Sequence, residues 1–276
     1  MRIANQAGRA VFVNAAGDGC VDISRSTGLP ADPLALLDRW AELLGTAAAD
    51  DWQPLDATEL GAPIANPRQV FALAVNYRDH AAEAGSDAPD APYVFTKFPS
   101  CITGPFADVV LTSNRADWEV ELVVVIGRRA ERVAAADAWS VVAGLTIGQD
   151  ISERRLQFRK PIPHLSIAKS LPTFGPTGPW IVTPDEFANP DDLALRCAID
   201  GEEMQSSRTS AMVFGVGAVI EAISAAVTLL PGDLIFTGTP SGVGSTRDPR
   251  RYLEPGNLIT SEVEGIGVMR NRCVAG

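Results

Sequence analysis

The chain contains the stretch Trp118-Glu119-Val120-Glu121-Leu122-Val123-Val124-Val125-Ile126, an apolar run that carries two acids near its start. Successive side chains of a β-strand point to opposite faces. Glu119 and Glu121 therefore project from one face, and Trp118, Val120 and Leu122 project from the other. The stretch predicts a strand on which two carboxylates share one site.

A third acid, Asp150, ends a second strand-like run, Leu145-Thr146-Ile147-Gly148-Gln149-Asp150. Neighbouring carboxylates in a partly buried place repel each other, and a divalent cation relieves that repulsion. Ligands that are all oxygen favour a hard ion, so we expect Mg²⁺, with Mn²⁺ or Ca²⁺ as alternatives. Alternating acids are also ordinary on the solvent face of an edge strand, and the triplet Glu119-Val120-Glu121 alone does not distinguish the two cases.

Composition limits the classes of partner. The chain has 276 residues and a formal net charge of −11, which argues against nucleic acid and anionic membranes, since both need a basic face. An acidic protein that handles an acidic substrate must concentrate its few cations, or a metal, at the site. We find no signal-like segment within Met1–Cys20 and no apolar run near the length of a membrane span, so we expect a cytoplasmic protein.

The four cysteines are far apart and show no Cys-x-x-Cys spacing, so they are interpreted as reduced thiols rather than zinc ligands or a redox pair. Asp32 and Pro33 predict the start of a helix that continues to Leu44. Residues 50–67 are rich in proline and are predicted to form a linker. We therefore expect a small N-terminal α/β domain in residues 1–65 and a catalytic domain in residues 66–276.

The second part of the chain is dominated by predicted strands. Strand–helix alternation at βαβ spacing is not evident, so a β-rich α+β fold is favoured. Asp200-Gly201 predicts a hairpin turn, and residues 210–229 predict one long helix. Residues 85–92 are small, polar and rich in proline, and we expect them to form a mobile loop placed to act as a lid. The other predicted elements are strands at 69–75 and 180–182, a short helix at 79–84 and a final hairpin of 259–263 and 267–272.

The chain has two histidines. His80 lies three residues before Glu83, so on a helix the imidazole and the carboxylate share a face and can form a hydrogen bond. A carboxylate orients the ring and raises its basicity, as a water-activating base requires, although such a pair on an exposed helix is equally often a surface contact. His164 lies between prolines without a nearby acid and is interpreted as a loop residue.

Two basic residues and a glycine-rich segment complete the set of candidates. Arg154 and Lys169 can each pair with a substrate carboxylate or an enolate oxygen, but exposure to solvent is the default expectation for both. The segment Gly238-Thr239-Pro240-Ser241-Gly242-Val243-Gly244 lacks the Gly-Lys-Ser/Thr ending of a nucleotide loop. We expect it to be a turn that presents backbone N–H groups and Thr239 to a ligand.

Taken together, these segments resemble the fumarylacetoacetate hydrolase family from about Pro67 to the C-terminus. Each block alone is weakly specific for the family. Their order and spacing over about two hundred residues make the resemblance specific. The blocks are Asn76-Tyr77-Arg78-Asp79-His80-Ala81-Ala82-Glu83, Phe95-Thr96-Lys97-Phe98-Pro99-Ser100, Asp117-Trp118-Glu119-Val120-Glu121-Leu122, Gly148-Gln149-Asp150-Ile151-Ser152, Lys169-Ser170, Leu230-Pro231-Gly232-Asp233, the glycine-rich segment and Glu264-Gly265-Ile266-Gly267.

The resemblance implies a fold and a set of roles. It implies a mixed, rolled β-sandwich with a small N-terminal domain, and a homodimer. By its motifs, Glu119, Glu121 and Asp150 take the positions of the metal ligands. His80 and Glu83 take those of the water-activating pair on a lid helix. The positions that line the substrate site are matched by Arg154, Gln157, Lys169 and Thr239.

Two departures from the family pattern concern the substrate pocket. The family commonly has Lys-Ser-Phe-Asp-Thr-Phe where this chain has Lys169-Ser170-Leu171-Pro172-Thr173-Phe174, and Ser-Ala-Arg-Asp where it has Ser152-Glu153-Arg154-Arg155. We expect Pro172 and Arg155 to reshape the wall of the pocket and so to alter the substrate.

The resulting hypothesis is a metal-dependent hydrolase that cleaves a carbon–carbon bond in a 2,4-dioxo acid, such as an acylpyruvate or fumarylpyruvate. His80 would act as the base and Lys169 would stabilise the enolate. The alternative is an oxaloacetate decarboxylase, or an isomerase of a 2-hydroxy-dienedioate, that uses the same metal and enolate. A non-catalytic protein that has kept the fold is a third hypothesis, but no metal ligand or member of the histidine–glutamate pair is missing.

Overall fold

The computed structural model describes residues 1–46 and 51–276. Its strands are β1 Arg2–Gln6, β2 Arg9–Val13, β3 Gly19–Asp22, β4 Gln53–Pro54, β5 Leu60–Gly61, β6 Val70–Ala74, β7 Tyr93–Thr96, β8 Ile102–Thr103, β9 Val109–Leu111, β10 Ala116–Asp117, β11 Val120–Ile126, β12 Val142–Gln149, β13 Ser152–Glu153, β14 Gly175–Val182, β15 Ala194–Ile199, β16 Glu202–Arg208, β17 Leu234–Phe236, β18 Leu258–Val263 and β19 Gly267–Ala275.

Helices are few and mostly short. The α-helices are α1 Ile23–Thr27, α2 Pro33–Leu37, α3 Trp40–Leu43, α4 Arg78–Glu83, α5 Arg154–Gln157, α6 Leu165–Ala168 and α7 Val216–Ala226. Short 3₁₀-helices lie at Ala57–Glu59, Pro99–Cys101, Ala135–Val141, Pro184–Glu186, Thr209–Ala211 and Gly244–Thr246. None of the helices in the described residues has both the length and the hydropathy needed to cross a lipid bilayer.

The largest sheet runs through both the N-terminal and the C-terminal parts of the chain. Its strand order is β4-β3-β2-β1-β14-β12-β11-β17-β6-β7, with β5 beside β1 and β8 beside β14. A five-stranded sheet has the order β16-β15-β18-β19-β9, and β10 and β13 form a separate pair. Mixed sheets with few helices are the β-rich α+β fold that the sequence predicts.

Strand β11 is buried on both faces between two layers of the core. Its residues Val120, Leu122 and Val124 belong to a hydrophobic cluster that includes residues of the five-stranded sheet. Val123 and Val125, on the opposite face, belong to a second cluster with residues of α2 and α3. Burying an aliphatic side chain stabilises the fold by about 1.5–3 kcal/mol, so both faces hold this strand in register.

The N-terminal segment is part of the same sheet. Strand β1 pairs antiparallel with β14, and residues 60–61, within the predicted linker, pair with β1. Residues 53–54 pair with β3. The linker prediction is therefore wrong for these residues, because their backbone groups are satisfied by neighbouring strands; residue 50 lies outside the described residues. The division into domains at residue 65 stays a prediction.

Two predicted helices differ in extent from the observed ones. Asp32 caps α2 by accepting a hydrogen bond from the backbone N–H of Ala35, as expected, but the helix ends at Leu37 and α3 begins at Trp40. The predicted helix at 210–229 is shorter, from Val216 to Ala226. Before it, Val213 donates its backbone N–H to the carbonyl of Asn76, which holds the chain extended.

The predicted hairpin at Asp200-Gly201 is confirmed. Both residues have positive φ, 52° and 84°, as a two-residue turn between right-twisted strands requires. The turn joins β15 to β16, which pair antiparallel.

Gly148 provides a test of the packing that positions Asp150. A Cβ at this position would lie 2.5 Å from Phe236 Cε1 and 2.5 Å from Val123 Cγ2. We predict that Gly148→Ala lowers the free energy of unfolding by about 1–3 kcal/mol, because both neighbours are in the core and must shift. Gly215→Ala is the control, since a Cβ there has no atom within 4 Å. Urea denaturation measures both variants, and equal stabilities would contradict the packing described.

Candidate active site

Three acidic side chains converge at the ends of the two central strands. Strand β11 pairs antiparallel with β12, so that Glu121 lies opposite Gly148. The backbone N–H of Asp150 donates to the carbonyl of Glu119 at 2.9 Å. All three carboxylates are buried, and one oxygen from each lies within 4.8 Å of the other two. The strand pairing thus brings the predicted ligands Glu119, Glu121 and Asp150 together.

The pKa shifts of these acids reflect their burial and the short distances between their carboxylates. Burial, followed by the nearby carboxylates of Asp150 and Glu119, raises the pKa of Glu121 well above its ordinary value. Burial would also raise the pKa of Glu119, but Lys169 and Arg154 outweigh it, and its pKa falls to about 2. A divalent cation between the three groups would offset the burial and the repulsion that raise the pKa of Glu121. The all-oxygen, buried donor set therefore fits a hard cation.

Two buried lysines balance part of this charge. Lys169 Nζ donates to Glu119 Oε2 at 2.7 Å, Asp150 Oδ2 at 2.6 Å and Ser152 Oγ at 2.7 Å. Burial would lower the pKa of Lys169, but Asp150 and Glu119 outweigh it and the pKa is raised. Lys97 Nζ donates to Asp150 Oδ1 at 2.6 Å and also to the carbonyl of Lys169. The two lysines therefore hold Asp150 in place through its two carboxylate oxygens.

Arg154 is buried rather than exposed to solvent. Its Nε donates to Asp117 Oδ2 at 2.8 Å and its Nη1 donates to Gln157 Oε1 at 2.8 Å. The third nitrogen, Nη2, lies 2.7 Å from Glu119 Oε1 and forms an ion pair with this carboxylate. Burial would lower the pKa of Arg154, but Asp117 and Glu119 outweigh it, and the pKa is raised. Arg154 is therefore a cation fixed by two carboxylates and by Gln157.

The default expectation of solvent exposure is thus wrong for both Arg154 and Lys169. The side chains are 6% and 4% exposed, respectively, because each has carboxylate partners that lie far away in the sequence. Lys97 and Asp117 are buried charged residues of the site that sequence reasoning missed. Their only signal was their place in two of the blocks that carry the family resemblance.

His80 and Glu83 form the expected pair on α4. The His80 Nδ1 atom lies 3.2 Å from Glu83 Oε2, and Glu83 Oε1 accepts the backbone N–H of Gly242 at 3.0 Å. Burial would raise the pKa of Glu83, but the hydrogen bonds from His80 and Gly242 outweigh it, and the pKa is lowered. Asp79 at the start of the helix accepts from Ser241 Oγ at 2.8 Å. The pair is therefore anchored to the glycine-rich turn rather than free on a helix surface.

The glycine-rich turn binds acidic side chains of the protein. Gly238 donates its N–H to Glu121 Oε2 at 2.7 Å, and Gly244 donates to Asp117 Oδ1 at 2.7 Å. The expectation that these N–H groups face a ligand is wrong for Gly238, Gly242 and Gly244, because carboxylates already accept from them. Thr239 donates its hydroxyl to the carbonyl of Val120 at 2.8 Å, and it lines the cavity described next.

A cavity of about 160 Å³ lies in front of these groups. Glu121 and Asp150 are not among its lining residues, and Glu83 stands behind His80. Pro172 does not line it either, contrary to expectation, since the adjacent Thr173 accepts the N–H of Val110 and this turn faces β9. The predicted site residues that line the cavity are His80, Glu119, Arg154, Gln157, Lys169 and Thr239. The structure brings them together, and their individual roles stay predictions.

Comparison with known proteins gives one consistent family. The family model described as Fumarylacetoacetate (FAA) hydrolase C-terminal matches residues 69–274. The oxaloacetate tautomerase FAHD2A, mitochondrial, of Bos taurus is 42% identical over 215 residues, which are 77% of this chain and 68% of that protein.

Solved structures show the same similarity in three dimensions. A putative HpcE protein from Mycobacterium smegmatis is 45% identical, with a TM-score of 0.93 and 100% of both chains covered. The maleylpyruvate hydrolase from Sphingobium sp. SYK-6, solved in complex with manganese(II) and pyruvate, is 29% identical, with a TM-score of 0.84 and 100% of both chains covered. The shared fold and the match over most of the sequence show that this chain belongs to the fumarylacetoacetate hydrolase family.

Proposed function

We propose that this protein is a divalent-metal-dependent hydrolase that cleaves a carbon–carbon bond in a 2,4-dioxo acid of the acylpyruvate or fumarylpyruvate kind. The observation that carries the proposal is the position of His80, which has Glu83 as its partner and shares one cavity with Glu119 and Arg154. A general base, an anchor for a carboxylate and one member of the proposed cation site therefore face the same small space.

The proposed cofactor is Mg²⁺, with Mn²⁺ or Ca²⁺ as alternatives. Support comes from the buried set of oxygen ligands on Glu119, Glu121 and Asp150, and from the manganese(II) bound to the similar maleylpyruvate hydrolase. When bound, the cation would supply a Lewis acid beside the 2-oxo group of the substrate.

Different residues around the cavity would bind different parts of the substrate. The Arg154 guanidinium, which lines the cavity, would donate to the carboxylate of the substrate. A charge-assisted hydrogen bond of this kind is about twice as strong as a neutral one. Gln157 fixes Arg154 by accepting from Nη1, and Thr239, which also lines the cavity, would contact the bound acid. The 2-oxo acid is thereby oriented before reaction.

His80 would act on water. It takes a proton from a water molecule, and the resulting hydroxide attacks the C4 carbonyl of the substrate. The C3–C4 bond then breaks, so that the acyl group leaves as a carboxylic acid and the electron pair remains on the pyruvate fragment as an enolate. The Lys169 ammonium group places positive charge next to the developing oxyanion. Return of the proton from His80 to C3 completes the formation of pyruvate.

A second candidate uses the same enolate without water. The 42% identity to an oxaloacetate tautomerase supports it. In keto–enol conversion of oxaloacetate, His80 would move a proton at C3 and no carbon–carbon bond would break. Decarboxylation of oxaloacetate and isomerisation of a 2-hydroxy-dienedioate belong to the same class, because each also passes through an enolate of a 2-oxo acid.

We predict that His80→Gln lowers kcat for acylpyruvate hydrolysis by about 10²–10⁴-fold, because the variant lacks a general base. Loss of the diketone absorbance with added Mg²⁺ or Mn²⁺ measures the rate, and EDTA should abolish it in the wild type. His164→Gln is the matched control, since His164 is the other histidine and does not line the cavity. Undiminished hydrolysis by His80→Gln, or full activity in EDTA, would rule out the mechanism.

The same enzyme preparation separates the two candidates. The decay of the enol form of oxaloacetate is followed by its ultraviolet absorbance, and the release of pyruvate from acylpyruvates is followed with a coupled assay. Rapid enol decay without pyruvate release would favour the tautomerase over the hydrolase.

We also propose that the active form is a homodimer. Strand β7 is at the edge of the large sheet, and it and the following residues expose Tyr93 (56%), Val94 (36%) and Phe98 (48%). An edge strand with exposed apolar side chains is a natural place for a second copy of the chain to bind. The proposed partners are thus a second subunit and a small keto acid, without nucleic acid or membrane, and a cytoplasmic location stays a prediction.

We predict that the wild type has twice the 29.2 kDa mass of one chain by light scattering, and that Tyr93→Glu shifts it toward the monomer, because the new charge would be buried in the interface. Trp52→Glu is the control, since this exposed aromatic residue precedes the strand at the opposite end of the sheet. A monomeric wild type, or a Tyr93→Glu variant that remains dimeric, would contradict the proposal.

A further inference from the structure

The active-site cavity adjoins a larger space, which we call the arginine vestibule. Its volume is about 570 Å³, and it shares Arg154, Phe158, Ser245 and Thr246 with the cavity. Because these walls are common to both spaces, a substrate whose 2-oxo acid end lies in the cavity would extend its acyl end into the vestibule.

The vestibule is strongly basic in an acidic protein. Its lining includes Arg115, Arg155 and Arg250 in addition to Arg154, and none of the described residues that line it is acidic. The chain as a whole has a net charge of −11, so the concentration of guanidinium groups here runs against the rest of the composition. In the described part of the chain, no carboxylate lies within 4.0 Å of Arg115, Arg155 or Arg250.

The side chains in the vestibule have neutral contacts that leave their charge available. The Arg115 guanidinium lies over the ring of Tyr252, 4.8 Å from its centroid, and a stacked guanidinium keeps its N–H edge free for a planar acceptor. Arg155 Nη2 donates to the neutral side chain of Asn114 at 3.0 Å. Phe158, 60% exposed, supplies an apolar wall between the cavity and these cations.

Backbone hydrogen bonds hold the three segments that carry the arginines. The N–H of Arg154 donates to the carbonyl of Arg115 at 3.0 Å, which joins the start of α5 to the residue before β10. The N–H of Leu253 donates to the carbonyl of Ala116 at 2.8 Å, which ties the segment containing Arg250 to the same strand. These backbone hydrogen bonds therefore hold the segments that line the arginine vestibule in fixed positions.

We propose that the arginine vestibule binds a second carboxylate at the acyl end of the substrate, so that Arg115, Arg155 and Arg250 make the enzyme specific for dicarboxylic 2-oxo acids. This inference rests on the proposed function in that the first carboxylate lies at Arg154. Planar guanidinium groups match a carboxylate in shape and charge, and Phe158 covers the carbon chain between the two ends. Arg155, which departs from the family pattern, is accounted for as part of this site.

Matched substrates test the inference. Two pairs differ only in a terminal carboxylate in place of a methyl group: 2,4-dioxoheptanedioate with 2,4-dioxoheptanoate for turnover, and 2-oxoheptanedioate with 2-oxoheptanoate for binding to the Mn²⁺-loaded protein by calorimetry. A charge-assisted hydrogen bond contributes about 1.5–3 kcal/mol. We therefore predict that the wild type prefers the diacid by about 10-fold or more in both measurements.

Charge-neutral variants assign the preference to residues. Arg250→Gln and Arg115→Gln should each lower kcat/KM for the diacid by about 10-fold, mainly through KM, and should change that for the monoacid by less than about threefold, because the contact is equally strong in the ground and transition states. Arg196→Gln is the control, since it removes the same charge from an exposed position on β15.

The experiment distinguishes a failure of this inference from a failure of the proposed function. A wild type that binds diacid and monoacid equally, or variants that keep the full preference, would overturn the inference. If the wild type hydrolyses neither dioxo acid but binds 2-oxoheptanedioate more tightly, and Arg250→Gln removes that difference, the hydrolase assignment fails while the vestibule remains a carboxylate site.

Discussion

The structure of this site depends on the mutual repulsion of acidic groups held at the ends of two central strands. Burying a carboxylate without a partner is costly, and here the strand pairing forces several together. The buried acids of the site are Glu119, Glu121, Asp150 and Asp117, and the buried cations are Lys97, Lys169 and Arg154. Four acids against three cations leave one formal negative charge in excess, and burial together with the carboxylates of Asp150 and Glu119 raises the pKa of Glu121.

A bound divalent cation would change the formal net charge of these buried groups from negative to positive. Two positive charges added to an excess of one negative charge leave one positive charge in excess, in a space lined also by Arg154. Such a site would attract an anion, and the proposed 2-oxo acid would bring its carboxylate to it. The arginines of the vestibule extend the positive field outward from the cavity. Among the described residues, the buried lysine and arginine side chains are thus all at this site, although the protein as a whole is acidic.

The sequence revealed the features that depend on local spacing. Alternation along β11 placed Glu119 and Glu121 on one face, the spacing of His80 and Glu83 predicted their contact, and Asp200-Gly201 predicted a hairpin. These predictions held because they need only the geometry of one strand, one helical turn or one tight turn.

Features that depend on distant pairing were not readable from the sequence. Lys97 contacts Asp150 across 53 positions and Asp117 contacts Arg154 across 37, so neither pair leaves a local pattern. The glycine-rich segment was predicted to present its N–H groups to a ligand. In the structure these groups donate to acidic side chains of the protein, and the spacing of the sequence gives no sign of those contacts. The extent of α7 was overestimated because contacts with residues near Asn76 override local helix preference.

The central claim is that Glu119, Glu121 and Asp150 bind one divalent cation. A crystal grown with Mn²⁺ tests it most directly, because the anomalous signal of manganese locates the ion independently of the surrounding density. The account predicts a single anomalous peak within about 2.0–2.6 Å of a carboxylate oxygen from each of the three residues, with Lys169 Nζ moved away from the ion. Carboxylates that remain paired with Lys169 at saturating Mn²⁺, with no peak between them, would contradict it.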